Sequence, residues 1–289
     1  MPIIEPCIRP PSEAESLLLQ VTTGCSCNTC TFCGAYRNKP FRVKDLEEIY
    51  TDIDEYAFYC SEARKLFLMD GDALVLNNNK ILPILERIHE KLPKVSKISS
   101  YVNGFSITDR SKEELQTLYE HKVKLIYMGL ESGSQEILDT CKKKSTVNEM
   151  IEAVNKAGEA GIKTSLMVLL GLGGEEKSHL HIEESAKAIN AMQPKYLSFL
   201  SVMLIPGTEL HRQSRNGMFK PLDARGFLIE TYEILKRLEL NQTLFFSNHA
   251  SNYLPLTGRL PNGKKQLLQT LSSAIKGDLT LKPEIFRGL

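Results

Sequence analysis

The sequence has almost no net charge, +1 in formal terms, and is expected to have neither a leader nor a membrane span. Lys and Arg number 36 against 35 Asp and Glu in 289 residues, so no field of one sign draws the chain onto nucleic acid or an anionic membrane. A small neutral or mixed-charge substrate suits it better, and nucleic acid is not expected as a partner. The opening Met-Pro-Ile-Ile-Glu puts no basic stretch ahead of an apolar one, and no apolar run approaches the ~20 residues of a spanning helix. The chain therefore reads as cytoplasmic, with no membrane partner. Internal repeats and low-complexity tracts are also missing. With 42% apolar and 25% charged residues, the make-up is that of a folded globular protein, and the length suits one large α/β domain or two small ones.

Cysteine is sparse except in one place. Of the seven, Cys25, Cys27, Cys30 and Cys33 fall in one short loop, while Cys7, Cys60 and Cys141 are scattered. An odd total clustered this way, with no signal pattern in the opening residues, argues for metal or redox chemistry over a disulfide framework.

Short apolar runs alternate with helical patterns from about Ser16 to Leu204. Strands are predicted over 17–21, 66–69, 98–102, 123–130, 162–170 and 196–204, with helical faces between them such as Leu46, Ile49, Tyr50 and Ile53. Ser111 with Glu114 and Thr146 with Glu149 are capping-box signals. Gly161 stands where a left-handed helix cap is wanted, and Pro83 is tolerable only near the start of its helix. Six βα-type strands form either an open doubly wound sheet or a partial barrel, and periodicity leaves both open. Beyond Pro206 the rhythm changes to a helix over 227–238, a short strand over 243–246, a turn-rich loop and a helix over 264–275. This divides the chain into an N-terminal arm (1–15), a βα body (16–210) and a C-terminal extension (211–289) too thin for its own core.

The cysteine loop, Gly24-Cys25-Ser26-Cys27-Asn28-Thr29-Cys30-Thr31-Phe32-Cys33, follows the first strand. Three thiolates can hold three irons of a cubane and leave the fourth open to a small molecule. Two other readings compete. A structural zinc site would use all four sulfurs, but such sites usually pair two knuckles from separate segments. A ferredoxin-type electron carrier would need a further Cys-Pro where Arg37 stands.

The loop resembles that of the radical S-adenosylmethionine (SAM) superfamily, in which a Cys-x-aromatic-Cys ending, here Cys30-Thr31-Phe32-Cys33, follows an earlier cysteine. It is similar to the subgroup with a Gly-Cys-Ser-x-Asn-x-Cys-Thr-Phe-Cys loop, where the position of Cys27 need not be cysteine. The resemblance implies Cys25, Cys30 and Cys33 as ligands of a [4Fe–4S] cluster, with Cys27 as the alternative first ligand, and Phe32 beside the cofactor. Further similar segments lie at strand ends. Asp70-Gly71-Asp72 looks like the family's Gly-Gly-Glu element, so Gly71 and Asp72 would hold the methionyl ammonium; a plain turn is the other reading. Glu131 and Ser132 would meet the ribose, and Lys143 the methionyl carboxylate, unless the three lysines 142–144 are a solvated turn. Leu170 and Gly171, with Leu204, would wall the adenine; no Lys-Ser/Thr pair closes the Gly-rich run as a phosphate loop.

Over about Leu17 to Leu210 the resemblance implies an α/β fold, a partial (β/α)₆ TIM-type barrel with a C-terminal α/β extension. It also implies an enzyme that cleaves SAM to a 5′-deoxyadenosyl radical, fed by a one-electron reductant such as ferredoxin or flavodoxin. No second cysteine cluster is present, which disfavours sulfur-inserting and auxiliary-cluster enzymes, and the length leaves no room for a cobalamin- or RNA-binding domain. The polar then apolar stretch 247–256 is expected to act as a substrate lid through His249 and Asn252.

Overall fold

The computed structural model describes residues 3–288, and the chain divides into two compact units. The first takes residues up to 28, 35–128 and 152–164; the second takes 29–34, 129–151 and 165 onward.

In the first unit the apolar run Leu17–Leu19 forms β1. Strands β2 (Thr22–Thr23) and β3 (Arg42–Val43) pair antiparallel and clasp the two ends of the segment between them. Helix α1 (Leu46–Tyr59) buries Ile49, Ile53 and Tyr56 along one face. There follow β4 (Lys65–Leu68), α2 (Asn78–Lys91), β5 (Lys97–Tyr101), α3 (Phe105–Thr108), α4 (Lys112–Glu120) and β6 (Val123–Glu131), whose last three residues belong to the second unit. Strands β1, β4, β5 and β6 pair in that order, all parallel, with Leu18 opposite Phe67 and Phe67 opposite Ser99. Parallel pairing requires crossovers, which the helices supply. Leu66, Phe67 and Leu68 are wholly buried, as expected of a strand covered on both faces.

Ser111 and Glu114 form the predicted reciprocal cap of α4. Pro83, expected near a helix start, instead lies inside α2, because Asn77, six residues before the proline, caps that helix through the Lys80 amide. In the N-terminal arm Glu13 is buried. Burial raises its pKa, but hydrogen bonds from Lys97, Ser16 and Tyr127 together bring it below the ordinary value.

The second unit contains α5 (Gln135–Thr140), α6 (Val147–Glu159), β7 (Lys163–Leu170), α7 (Gly174–Met192), β8 (Tyr196–Ser201), α8 (Glu209–Arg215), α9 (Ala224–Arg237), β9 (Thr243–Phe246), β10 (Thr257–Leu260) and α10 (Lys264–Lys276). The latter part of α6 and the first two residues of β7 belong to the first unit. Strands β7, β8 and β9 are parallel, and β10 returns antiparallel to β9. Strand β8 stops short of Leu204: the Val202 amide makes its last ladder bond to Leu170, and the chain then turns, with the Ile205 amide on the Met203 carbonyl and Pro206 without an amide to offer.

The C-terminal stretch thus adds β9 and β10 to the second unit's strands, while α9 packs on α7 and α10. Strand β10 falls in the region read as a loop. Thr-Gly-Arg-Leu has no alternation to announce it, and pairing with β9 orders it. Throughout, the fold is the predicted α/β kind with mostly parallel strands. Among the described residues no helix is long and apolar enough to cross a membrane.

Candidate active site

The first unit carries Cys25, Gly71 and Asp72 at the ends of β2 and β4. Gly24 has φ +72°, and a Cβ there would lie 2.6 Å from the Lys39 carbonyl oxygen, so only glycine suits the turn before Cys25. The Gly71 amide donates to the Gly24 carbonyl at 2.9 Å. A Cβ on Gly71 would stand 2.6 Å from the Cys25 Cβ and 2.7 Å from its Sγ, so any larger residue displaces the thiol.

Asp72 is fully buried. Its Oδ2 accepts from the Ser26 hydroxyl (3.0 Å), the Asn103 amide (3.0 Å) and the Ser106 hydroxyl (2.7 Å), while Oδ1 has no hydrogen-bond partner. Burial pushes its carboxyl up to about 6 against the pull of those donors. That buried oxygen leaves the carboxylate with capacity for a further donor.

Two residues earlier, Asp70 (φ +66°) makes a buried ion pair with Lys39 at 2.7 Å. Gln20 donates to the same carboxylate at 2.9 Å, and the Lys39 ammonium also reaches the carbonyls of Ile4 and Pro6. Burial raises the Asp70 pKa, and Lys39 opposes the rise. The pair ties the exit of the cysteine loop to the turn that holds Gly71. Lys39→Met should strand the Asp70 charge and lower stability by about 3–5 kcal/mol, measured by denaturant unfolding at neutral pH.

The second unit carries the rest of the loop. The Cys33 amide closes a turn on the Cys30 carbonyl at 3.2 Å, the Thr31 amide bonds the Cys141 carbonyl at 2.9 Å, and the Leu210 amide bonds the Thr31 carbonyl at 3.0 Å. Cys25, Cys30, Phe32 and Cys33 are partly exposed, whereas Cys27 is buried. Among the described residues no three Cys, His, Asp or Glu side chains stand together as a ready-made metal cage; the fit to a cluster rests on the donor chemistry of the thiols and on the Gly71–Cys25 packing.

At the end of β6, Glu131 adopts φ +62° and folds back over Gly129, where a Cβ would lie 1.9 Å from its Oε1. Lys143 approaches that oxygen at 3.4 Å, and both side chains are largely buried. Lys143 therefore faces a carboxylate, while Lys142 pairs with Glu209 at the surface. The buried Ser132 hydroxyl meets His181 Nδ1 at 2.8 Å. Leu170 and Gly171 are buried at the end of β7, and Leu204 is half-buried in the turn after β8. Sequence reasoning missed Ser26, Asn103 and Ser106 around Asp72, and Lys39 beside Asp70. The position of Asn103 just past β5 was a usable signal, since functional residues of βα folds collect at strand ends.

In the C-terminal segment His249 is half-buried, with Nδ1 at 2.9 Å from the Ser251 hydroxyl. Asn252 is buried and its amide is taken up by the fold: Nδ2 donates to the Phe199 carbonyl and the Ser247 hydroxyl, and Oδ1 accepts from Ser201. Arg287 fastens this loop, donating to the carbonyls of Ser251 and Val202 and to the Tyr253 hydroxyl.

The chain is 24% identical over 166 residues to a putative methylthiotransferase of Methanocaldococcus jannaschii, covering 53% of this chain and 34% of that protein. It is 26% identical over 192 residues to an anaerobic magnesium-protoporphyrin IX monomethyl ester cyclase of Cereibacter sphaeroides, covering 65% and 30%. It therefore spans about a third of the length of these curated relatives. Among solved structures, methylornithine synthase superposes with a TM-score of 0.53 at 15% identity, covering 78% of this chain and 63% of that one. At that identity the likeness shows the fold, the partial-barrel type predicted above. The sequence profile of the radical SAM superfamily matches residues 19–186, more than half of the chain, from β1 through the cysteine loop to α7. The chain thus belongs to the radical SAM superfamily, whose members work with a [4Fe–4S] cluster and S-adenosylmethionine.

Proposed function

We propose that Cys25, Cys30 and Cys33 hold the cluster, that Cys27 is their buried neighbour, and that the substrate is a small molecule. When bound and reduced by a one-electron carrier such as ferredoxin or flavodoxin, the cluster and SAM would supply radical chemistry for hydrogen abstraction from that substrate. The observation that carries this reading is Asp72, whose buried Oδ1 lacks a donor next to the glycine that packs on Cys25. An ammonium there makes a charge-assisted hydrogen bond and offsets the cost of the buried charge; the methionyl ammonium is that donor.

The other strand-end residues supply the remaining contacts. Glu131 accepts from ribose hydroxyls beside Ser132, and Lys143, already next to Glu131, turns its ammonium to the methionyl carboxylate. Leu170, Gly171 and Leu204 wall the adenine. In the lid segment His249 serves as the substrate contact. Asn252, expected beside it, instead fixes the segment to Ser201 and Phe199.

Anaerobic reconstitution should load about four irons per chain, and reduction with SAM present should release 5′-deoxyadenosine. Zinc uptake without iron would overturn the reading. His249→Ala should leave that release intact and cut conversion of the true substrate; unchanged conversion would remove His249 from the site.

A further inference from the structure

Two side chains that no motif announced connect the proposed ribose and adenine contacts, all within the second unit. His181 of α7 and Glu230 of α9 are both 0% exposed. His181 Nδ1 holds the Ser132 hydroxyl at 2.8 Å, with Ser185 Oγ at 3.4 Å. Glu230 Oε2 accepts the Gly171 amide at 2.5 Å, and Oε1 accepts the Ser178 hydroxyl at 2.7 Å. His181 Nε2 lies 3.8 Å from Glu230 Oε2, too far for a hydrogen bond, and has no other partner.

The imidazole offers Glu230 no countercharge. Burial lowers the His181 pKa to about 4, so the ring is neutral at neutral pH. Burial pushes Glu230 up to about 7, opposed only by Ser178 and the Gly171 amide. A carboxylate taken out of water without a cation costs the fold more than an apolar side chain of the same size. In return it clamps one amide. Gly171 has φ +75°, and a Cβ there would sit 2.5 Å from the Phe227 ring. Phe227 and Glu230, three residues apart on α9, therefore grip Gly171 from one helical face. Ser178, His181 and Ser185 form the matching stripe on α7.

We infer that Glu230 and His181 are a positioning pair for the nucleoside half of the SAM site, Glu230 setting the Gly171 backbone and His181 setting the Ser132 hydroxyl. Helix α9 lies beyond residues 19–186, the stretch that matches the family profile, so the C-terminal extension of this chain sets its affinity for SAM. The inference rests on reading Ser132 and Gly171 as SAM contacts.

The test is SAM binding by the anaerobically reconstituted full chain, by equilibrium dialysis, alongside iron content and the unfolding midpoint at pH 8. Glu230→Gln keeps the shape but removes the charge-assisted grip on Gly171. It should weaken SAM binding tenfold or more at unchanged iron content, raising KM for SAM far more than it changes the maximal rate. Its unfolding midpoint should rise, because a buried charge is gone; a merely structural Glu230 predicts a lower midpoint. Wild-type SAM affinity within twofold in Glu230→Gln, at full iron loading, overturns the inference. Should that variant not fold, Ser178→Ala, which loosens Glu230 Oε1 alone, should weaken SAM binding in the same direction, and equal affinity there overturns it as well. An iron-loaded wild type that does not bind SAM would instead overturn the SAM-site reading, and this inference with it.

Discussion

Cys30→Ala and Cys33→Ala should each abolish SAM cleavage, and Cys25→Ala should do the same, whereas Cys27→Ala should leave it standing. Each ligand thiolate holds one iron of the cubane, so its loss leaves a second iron without a protein ligand, beside the one that is open by design, and the cluster falls apart. Iron content should drop from about four per chain to below one, and 5′-deoxyadenosine release should fall at least ~10³-fold, the loss expected when the group carrying the chemistry is removed. Cys27 is buried while the other three thiols are partly exposed, and Cys25 is the one that packs on Gly71. Iron assay and chromatography of the reduced, SAM-treated variants decide the matter. A Cys25→Ala protein that retains cleavage while Cys27→Ala loses it would move the first ligand to Cys27.

Asp72→Asn should make the protein more stable and bind SAM much less well. The sign follows from linkage. The folded-state pKa of about 6 lies above the ordinary value of about 3.9, so between those limits the native state binds more protons than the unfolded one. Stability is then highest below about pH 4, falls as pH rises through that window, and is lower by about 3 kcal/mol above pH 6. Asparagine carries no charge to bury, so at pH 7.5 the variant should recover about that much, read from its denaturant midpoint. Ser26, Asn103 and Ser106 can still bond the amide oxygen. Facing an ammonium, however, the variant has lost its carboxylate, and SAM affinity should fall by about 1.5–3 kcal/mol, the value of a hydrogen bond to a charged group. Unchanged SAM affinity would show that the open Oδ1 serves something else. A stability that does not depend on pH between 4 and 6 in the wild type, relative to the variant, would show that the buried carboxyl is not raised.

Much of the fold was legible in sequence because it is encoded locally. Leu66 to Met69 and Val123 to Leu130 are apolar runs bounded by turn chemistry, and both became strands within a residue or two. The Ser111–Glu114 cap formed as spaced. Less local features were misread. Pro83 lies inside α2 because Asn77 begins that helix earlier, and β10 exists only through its pairing with β9.

The same division applies to the site. The clustering of cysteines and the order of the strand-end segments are properties of the chain as written, and they were sufficient to point to the family. Whether a charge is buried, and what it bonds, depends on residues far apart in sequence. Asp72 draws donors from 46, 31 and 34 positions away, Lys39 finds Asp70 across 31, and Glu230 finds Gly171 across 59. Sequence alone determined which thiols and carboxylates are candidates for this protein's chemistry. Tertiary structure decided which of them are desolvated and which oxygen is left open, because hydration is lost only when distant segments close around a group.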